Sequence, residues 1–249
     1  MSLRGEEGST DYDRAVARFF ELCAAADPAN CDVAEAGKTG QQLLDTFDAF
    51  LSKVGYDQAK TVRDAFQPIL YLPSPTAYKE FATKLSGFYK DPRTINAGPV
   101  ERRQLDWTPN YVENNTDLAL TGITCGDVVE RPIGSEANYK SWLAIYEKTS
   151  KYGGDIAINI LFSCSVWAYD AKEKFTAPFS NIRTKNPILF VNTQYDPVTP
   201  LISAQNSARG FVGARVLVSS GVGVSDTQTK PSCITNEITI ALHKRQLFA

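Results

Sequence analysis

Apolar residues recur at helical spacing through the first two-thirds of the chain. Val16, Phe19, Phe20 and Cys23 fall on one face of a helix that Ser9 or Thr10 can cap. Leu43, Leu44, Phe47, Phe50, Leu51 and Val54 repeat the pattern, and a third helix is predicted from Asp57 to Tyr71, stopping before Pro73. A fourth, from Pro75, presents Tyr78, Phe81, Leu85 and Phe88. Residues 91–135 are richer in Pro, Gly and Asn and read as a long loop with short elements. Helices resume with Trp142, Ile145 and Tyr146, then Ile156, Ile160, Cys164 and Trp167.

The texture changes at Asn186. Pro187 to Asn192 is a short continuous apolar run, predicting a strand buried on both faces. A polar turn, Thr193 to Thr199, leads to a helix from Pro200 to Phe211. Arg215–Ser219 reads as a second strand and Ser232–Lys244 as a last helix. Strand, helix, strand, helix of this length implies a parallel βαβα unit. The expected organisation is therefore a helical region over 1–185 followed by a small α/β portion over 186–249. Two strands leave much of a sheet unaccounted for, so rearranged cap helices, or a homodimer or complementing partner chain, are expected to cover it, the dimer being slightly favoured.

Composition narrows the function classes. Hydrophobic content of 43% and charged content of 22% are ordinary for a globular chain. A net charge of −2 gives no reason to expect nucleic acid as a partner, and no apolar run is long enough for a membrane span. The residues from Met1 to Gly8 carry no apolar leader, which predicts a cytoplasmic protein as written, or a secreted one if the chain is a piece of something longer. The cysteines, Cys23, Cys31, Cys125, Cys164 and Cys233, form no C-x-x-C pair and have only His243 to join them, so neither a metal site nor a cofactor is expected. They are either buried thiols or disulfides; Cys23 and Cys31 flank a short Asp27-Pro28 turn that can bring them together.

Chemistry concentrates around Asp196, just past the end of the first predicted strand, where open α/β sheets place working residues. It can equally cap the following helix or shape the turn. Tyr71, Tyr78, Phe81, Phe88, Tyr89, Trp107 and Tyr111 make the centre aromatic-rich, as core packing or as an apolar pocket in which Tyr78, Phe81, Trp107 and Tyr111 would bind substrate. Gly221-x-Gly223 lacks the third glycine of a dinucleotide loop. Asn114-Asn115-Thr116 is a glycosylation sequon, meaningful only on a secreted chain.

The segment Val191-Asn192-Thr193-Gln194-Tyr195-Asp196-Pro197-Val198-Thr199-Pro200 resembles the C-terminal region of the tripeptidyl-aminopeptidase-like α/β hydrolases, where V-N-G-x-x-D-P-V-T-P carries the triad aspartate. Phe19-Phe20-Glu21-Leu22-Cys23 with Asn30-Cys31 is similar to the start of that family's cap. Ile123-Thr124-Cys125-Gly126-Asp127 and Cys164-Ser165-Val166-Trp167 look like its paired-cysteine segments. The resemblance runs along essentially the whole chain, but onto only the second half of a full-length member. It implies a truncated α/β-hydrolase-like fold, with Cys23 close to Cys31, Cys125 close to Cys164, and Cys233 unpaired.

The departures from the family are chemical. Gly221-Val222-Gly223-Val224-Ser225-Asp226 aligns with the family's G-Y-G-H-C-S, putting Val224 at the triad histidine and Ser225 at a cysteine. No G-x-S-x-G elbow occurs in the chain, and His243 falls in the predicted last helix. Valine cannot accept a proton, so Ser-His-Asp hydrolysis is not expected. Three readings follow. The first is non-hydrolytic action on a small apolar molecule, of cyclase, isomerase or lyase type in specialised metabolism, with Asp196, then Asp226 and Tyr195, as candidate acids or bases. The second is a ligand-binding or scaffold protein; the third is the C-terminal fragment of a secreted serine aminopeptidase.

Overall fold

The computed structural model of the protein describes residues 6–95, 116–128, 130–174 and 179–224. Within them the chain is mostly helical, with a small parallel two-stranded sheet. No helix of the described residues is long and apolar enough to cross a membrane.

Helix α1 (Tyr12–Ala26) buries the stripe Tyr12, Ala15, Val16, Phe19, Phe20 and Cys23, the face that the 3–4 spacing marks. It starts at Asp11 rather than at Ser9 or Thr10. Its own N–H groups receive no side-chain cap, because the Asp11 carboxylate is engaged elsewhere: it accepts from Arg14 Nη1 at 2.8 Å and from the backbone N–H of Leu201 at 3.1 Å. Helix α2 (Gly40–Leu51) opens with a capping box between Thr39 and Gln42. It crosses α1 so closely that a Cβ on Gly40 would lie 2.6 Å from the Glu21 Cα, so the crossing requires glycine.

The helix expected over Asp57–Tyr71 is two helices, α3 (Tyr56–Asp64) and α4 (Phe66–Tyr71), parted at Ala65. Pro68 explains the break: it has no N–H for the carbonyl of Asp64, and its ring crowds that carbonyl. Helix α5 (Pro75–Lys90) begins with Ser74 capping the N–H of Ala77 and Pro at the first helical position. Phe19, Phe66 and Phe81 meet edge to face at the centre of the core, Phe66 and Phe81 with ring centroids 4.4 Å apart.

Residues 91–135 are not wholly a loop. Thr116–Asp127 forms helix α6 despite its threonines and glycines. Tertiary ties override the weak propensity: Cys125 is bonded to Cys164, and Arg131 donates to the carbonyls of Cys125, Trp167 and Tyr169. Helices α7 (Glu136–Thr149) and α8 (Gly154–Phe162) follow, packing Trp142, Tyr146 and Ile158 into a second small cluster. Cys164 sits in a 3-10 turn after α8, and Trp167 lies just past it.

Strand β1 (Leu189–Tyr195) pairs in parallel with β2 (Arg215–Val222) through α9 (Leu201–Arg209); Leu189 stands opposite Arg215, and Tyr195 opposite Val222. Both strands run further than the apolar runs that predict them. The predicted last helix lies outside the described residues.

The expectation of a strand buried on both faces is corrected. Thr193 is buried, but Val191 remains 48% and Val218 42% exposed. Burial rises along the strands because only their carboxyl ends enter the helical core, where Tyr195 and Val222 pack against it. The outer halves have one paired edge each and no further strand beside them among the described residues.

Candidate functional site

The carboxyl ends of β1 and β2 are fastened to each other and to the helices. Gly223 N–H donates to the Tyr195 carbonyl at 3.0 Å, the Thr193 hydroxyl donates to the Gly223 carbonyl, and Val224 N–H donates to the Tyr71 carbonyl at 3.3 Å. Gly223 has φ of 97°, and a Cβ there would stand 2.5 Å from Pro73 Cδ; both the turn and the close approach require glycine. The register therefore delivers Asp196 and Val224 to neighbouring strand ends.

Asp196 is 2% exposed, and both of its carboxylate oxygens accept hydrogen bonds. Oδ1 accepts from the N–H groups of Val198 at 2.9 Å and Thr199 at 2.8 Å, and Oδ2 accepts from the Thr199 hydroxyl at 2.6 Å. This is the turn-shaping role, built from a carboxylate folding back onto the two residues that lead into α9. Tyr195 packs on the core with the Arg14 guanidinium 5.1 Å over its ring. Asp226, the third proposed acid or base, lies outside the described residues, as do Ser225, Cys233 and His243.

Beside these strand ends opens a cleft of about 530 Å³. Phe19, Leu22 and Ala26 of α1 line it together with Pro73, Pro75 and Tyr78. Gly221 and Val222 of β2 close its floor, and the bonded pair Cys23–Cys31 completes the side. The cleft lies outside the carboxyl end of β2, the usual ligand position in open α/β sheets. A second cleft of about 250 Å³ lies past Pro197 and Val198, against Tyr12 and Tyr146.

Of the aromatic residues proposed to bind substrate, Tyr78 lines the larger cleft, whereas Phe81 is 5% exposed and belongs to the core. Its helical position fits either role; only the crossing of α5 over α1 and α4 turns it inward. Trp107 and Tyr111 fall outside the described residues. The Tyr78 hydroxyl is buried and has no hydrogen-bond partner among the described residues. Burial pushes its pKa up to about 12 from the usual 10, with the Arg18 guanidinium pulling the other way. Burial likewise holds the phenols of Tyr12, Tyr89 and Tyr152 well above the ordinary range.

Sequence reading misses Arg18, Leu22, Pro73 and Lys79, which also line the cleft. Arg18 and Leu22 are four residues apart on α1, beside its core stripe, so helical spacing places them on one face. What they face depends on α5.

The cysteines are paired as Cys23–Cys31, with Cα atoms 5.5 Å apart, and Cys125–Cys164, with Cα atoms 5.2 Å apart. Among the described residues no cluster of three or more His, Cys, Asp or Glu side chains could hold a metal ion.

No curated protein matches the chain. Residues 150–246 match the family described as TAP-like protein, a span that takes in α8, both strands and α9, while the α1 and α5 walls of the cleft lie before it. Over residues 150–246, its C-terminal region, the chain is similar to the TAP-like proteins of α/β-hydrolase type.

Proposed function

We propose that this chain is a hydrolase-fold relative without triad chemistry that takes up a small apolar molecule in the cleft between α1, α5 and the end of β2. The observation that carries the reading is the cleft itself, apolar on most of its walls and seated at the carboxyl end of a parallel strand. Val224 stands where the family resemblance puts the base, no G-x-S-x-G elbow occurs in the chain, and the one histidine is His243. Asp196 is tied into its turn, and among the described residues no Asp, Glu or His lines the cleft. Binding is accordingly the conclusion. A cyclisation, isomerisation or elimination in the same cleft would have to rest on shape and on the Tyr78 phenol rather than on a carboxylate. The Cys23–Cys31 and Cys125–Cys164 bonds favour an oxidising, secretory setting over the cytosol.

The test is a titration with N-phenyl-1-naphthylamine, an uncharged fluorophore that brightens in apolar sites. Saturable binding is expected, and Ala26→Trp, which fills the cleft from α1, should abolish it. Unsaturable binding, or binding indifferent to Ala26→Trp, would overturn the reading.

A second reading concerns association. Val191 and Val218 leave apolar surface on the sheet open, and β1 has an edge without a strand partner among the described residues. These features support a homodimer or a complementing chain at the sheet.

A further inference from the structure

Resting on the proposed cleft as a ligand site, we infer that its ligand is an amphipathic carboxylate: an apolar body within the walls and an anionic head held at the rim by Lys79 and Arg18. The walls set the first half. Leu22, Ala26, Pro73, Pro75 and Val222 offer an elongated molecule no hydrogen bonds from their side chains, so what they favour is hydrocarbon.

Charge sets the second half. The whole chain carries 28 acidic against 26 basic residues, yet both ionisable side chains of formal charge on the cleft are cations, Arg18 and Lys79. Glu21 stands next to the rim and binds Arg18 at 2.7 Å, but that contact takes one Nη1 donor of a guanidinium that has five. Lys79 forms no ion pair among the described residues and is exposed. The other polar groups that line the cleft among the described residues are neutral. Asn30 and Ser220 are exposed, the Ser74 hydroxyl accepts from Ala77 N–H, and the Tyr78 hydroxyl is unpartnered and adjacent in sequence to Lys79.

The Lys79 ammonium, without an ion pair among the described residues, and a guanidinium with donors to spare match a single carboxylate, which accepts from several donors at once. They do not match an amine head, which would meet two like charges. They match an alcohol poorly, since it gains nothing from either cation.

The experiment is competition against bound N-phenyl-1-naphthylamine by dodecanoate, dodecanol and dodecylammonium on the full chain. Dodecanoate should displace the probe at about three- to tenfold lower concentration than dodecanol, the range for a charge-assisted contact at a partly solvated site. Dodecylammonium should be the weakest. Lys79→Met, a surface change that leaves the core untouched, should bring dodecanoate to the level of dodecanol when each competitor is read against that variant's own probe affinity. Raising salt should erode the preference in the wild type only. Equal displacement by all three, or a carboxylate preference that survives both Lys79→Met and Arg18→Met, would overturn the inference while leaving the cleft a ligand site. Failure of the probe itself to bind would overturn both.

Discussion

Thr199 holds Asp196 from two directions: its N–H reaches Oδ1 at 2.8 Å and its hydroxyl reaches Oδ2 at 2.6 Å. With Val198 N–H on Oδ1 as well, a buried carboxylate at a strand end is committed to shaping the turn into α9. Asparagine can reproduce this arrangement, accepting from both backbone groups and donating its amide to the Thr199 oxygen. Asp196→Asn should therefore cost no more than about 1 kcal/mol, whereas Asp196→Ala, which strands those N–H groups, should cost about 1–3 kcal/mol. Urea unfolding of both variants checks the order; equal losses would contradict the turn-shaping role.

Hydrolysis should be absent. Purified protein is expected to cleave neither p-nitrophenyl esters nor tripeptide amides above background, and a fluorophosphonate probe should label no serine stoichiometrically. Val224→His should not create activity, because a base without a positioned nucleophile and oxyanion donors has nothing to activate. Turnover by that variant would mean that a nucleophile exists which the sequence does not announce.

Alkaline pH should unfold the protein through its buried phenols. For Tyr78 the folded pKa, about 12, lies above the usual 10. Its contribution to stability is thus fully present below pH 10 and is lost as pH rises from 10 towards 12, because the unfolded state releases its proton first. Tyr12, Tyr89 and Tyr152 shift in the same direction and deepen the fall. Stability measured from pH 8 to 11.5 should drop above pH 10, less steeply in Tyr78→Phe. At neutral pH that variant should be no less stable than wild type, since it removes an unpartnered hydroxyl. A stability that is flat through pH 11 would rule this out.

The disulfides should separate stability from binding. Cys125 and Cys164 are 39 residues apart and Cys23 and Cys31 only 8, so loop-closure entropy predicts losses of about 4 and about 2.5 kcal/mol when each pair is replaced by alanine. Only the Cys23–Cys31 pair lines the large cleft. The smaller loss of stability should therefore accompany the larger loss of probe affinity. The reverse ranking in both measurements would contradict the assignment of the cleft.

Association through the sheet predicts that the chain sediments as a dimer at micromolar concentration, and that Val191→Lys together with Val218→Lys shifts it to monomer. Neither residue is in the core, so the thermal midpoint should change little. Identical sedimentation of wild type and variant would remove the sheet as the contact.

Local chemistry was legible from the residues alone. The buried stripe of α1, Pro75 opening α5, and the strand–helix–strand order around α9 each follow from spacing and turn residues. So did the family motif around Asp196, which the match over residues 150–246 shares. Tertiary structure decided the rest, because burial belongs to neighbours rather than to residues. Tyr78 and Phe81 lie three apart on α5 and read alike, yet the crossing with α1 and α4 sends Phe81 into the core and leaves Tyr78 on a cleft wall. The run from Pro187 to Asn192 reads as a strand buried on both faces, but Val191 stays half exposed because hydrophobicity creates a demand for cover and cannot supply it. Spacing alone left Asp196 between a working residue and a turn-former, and only the folded turn brings Val198 and Thr199 onto its carboxylate.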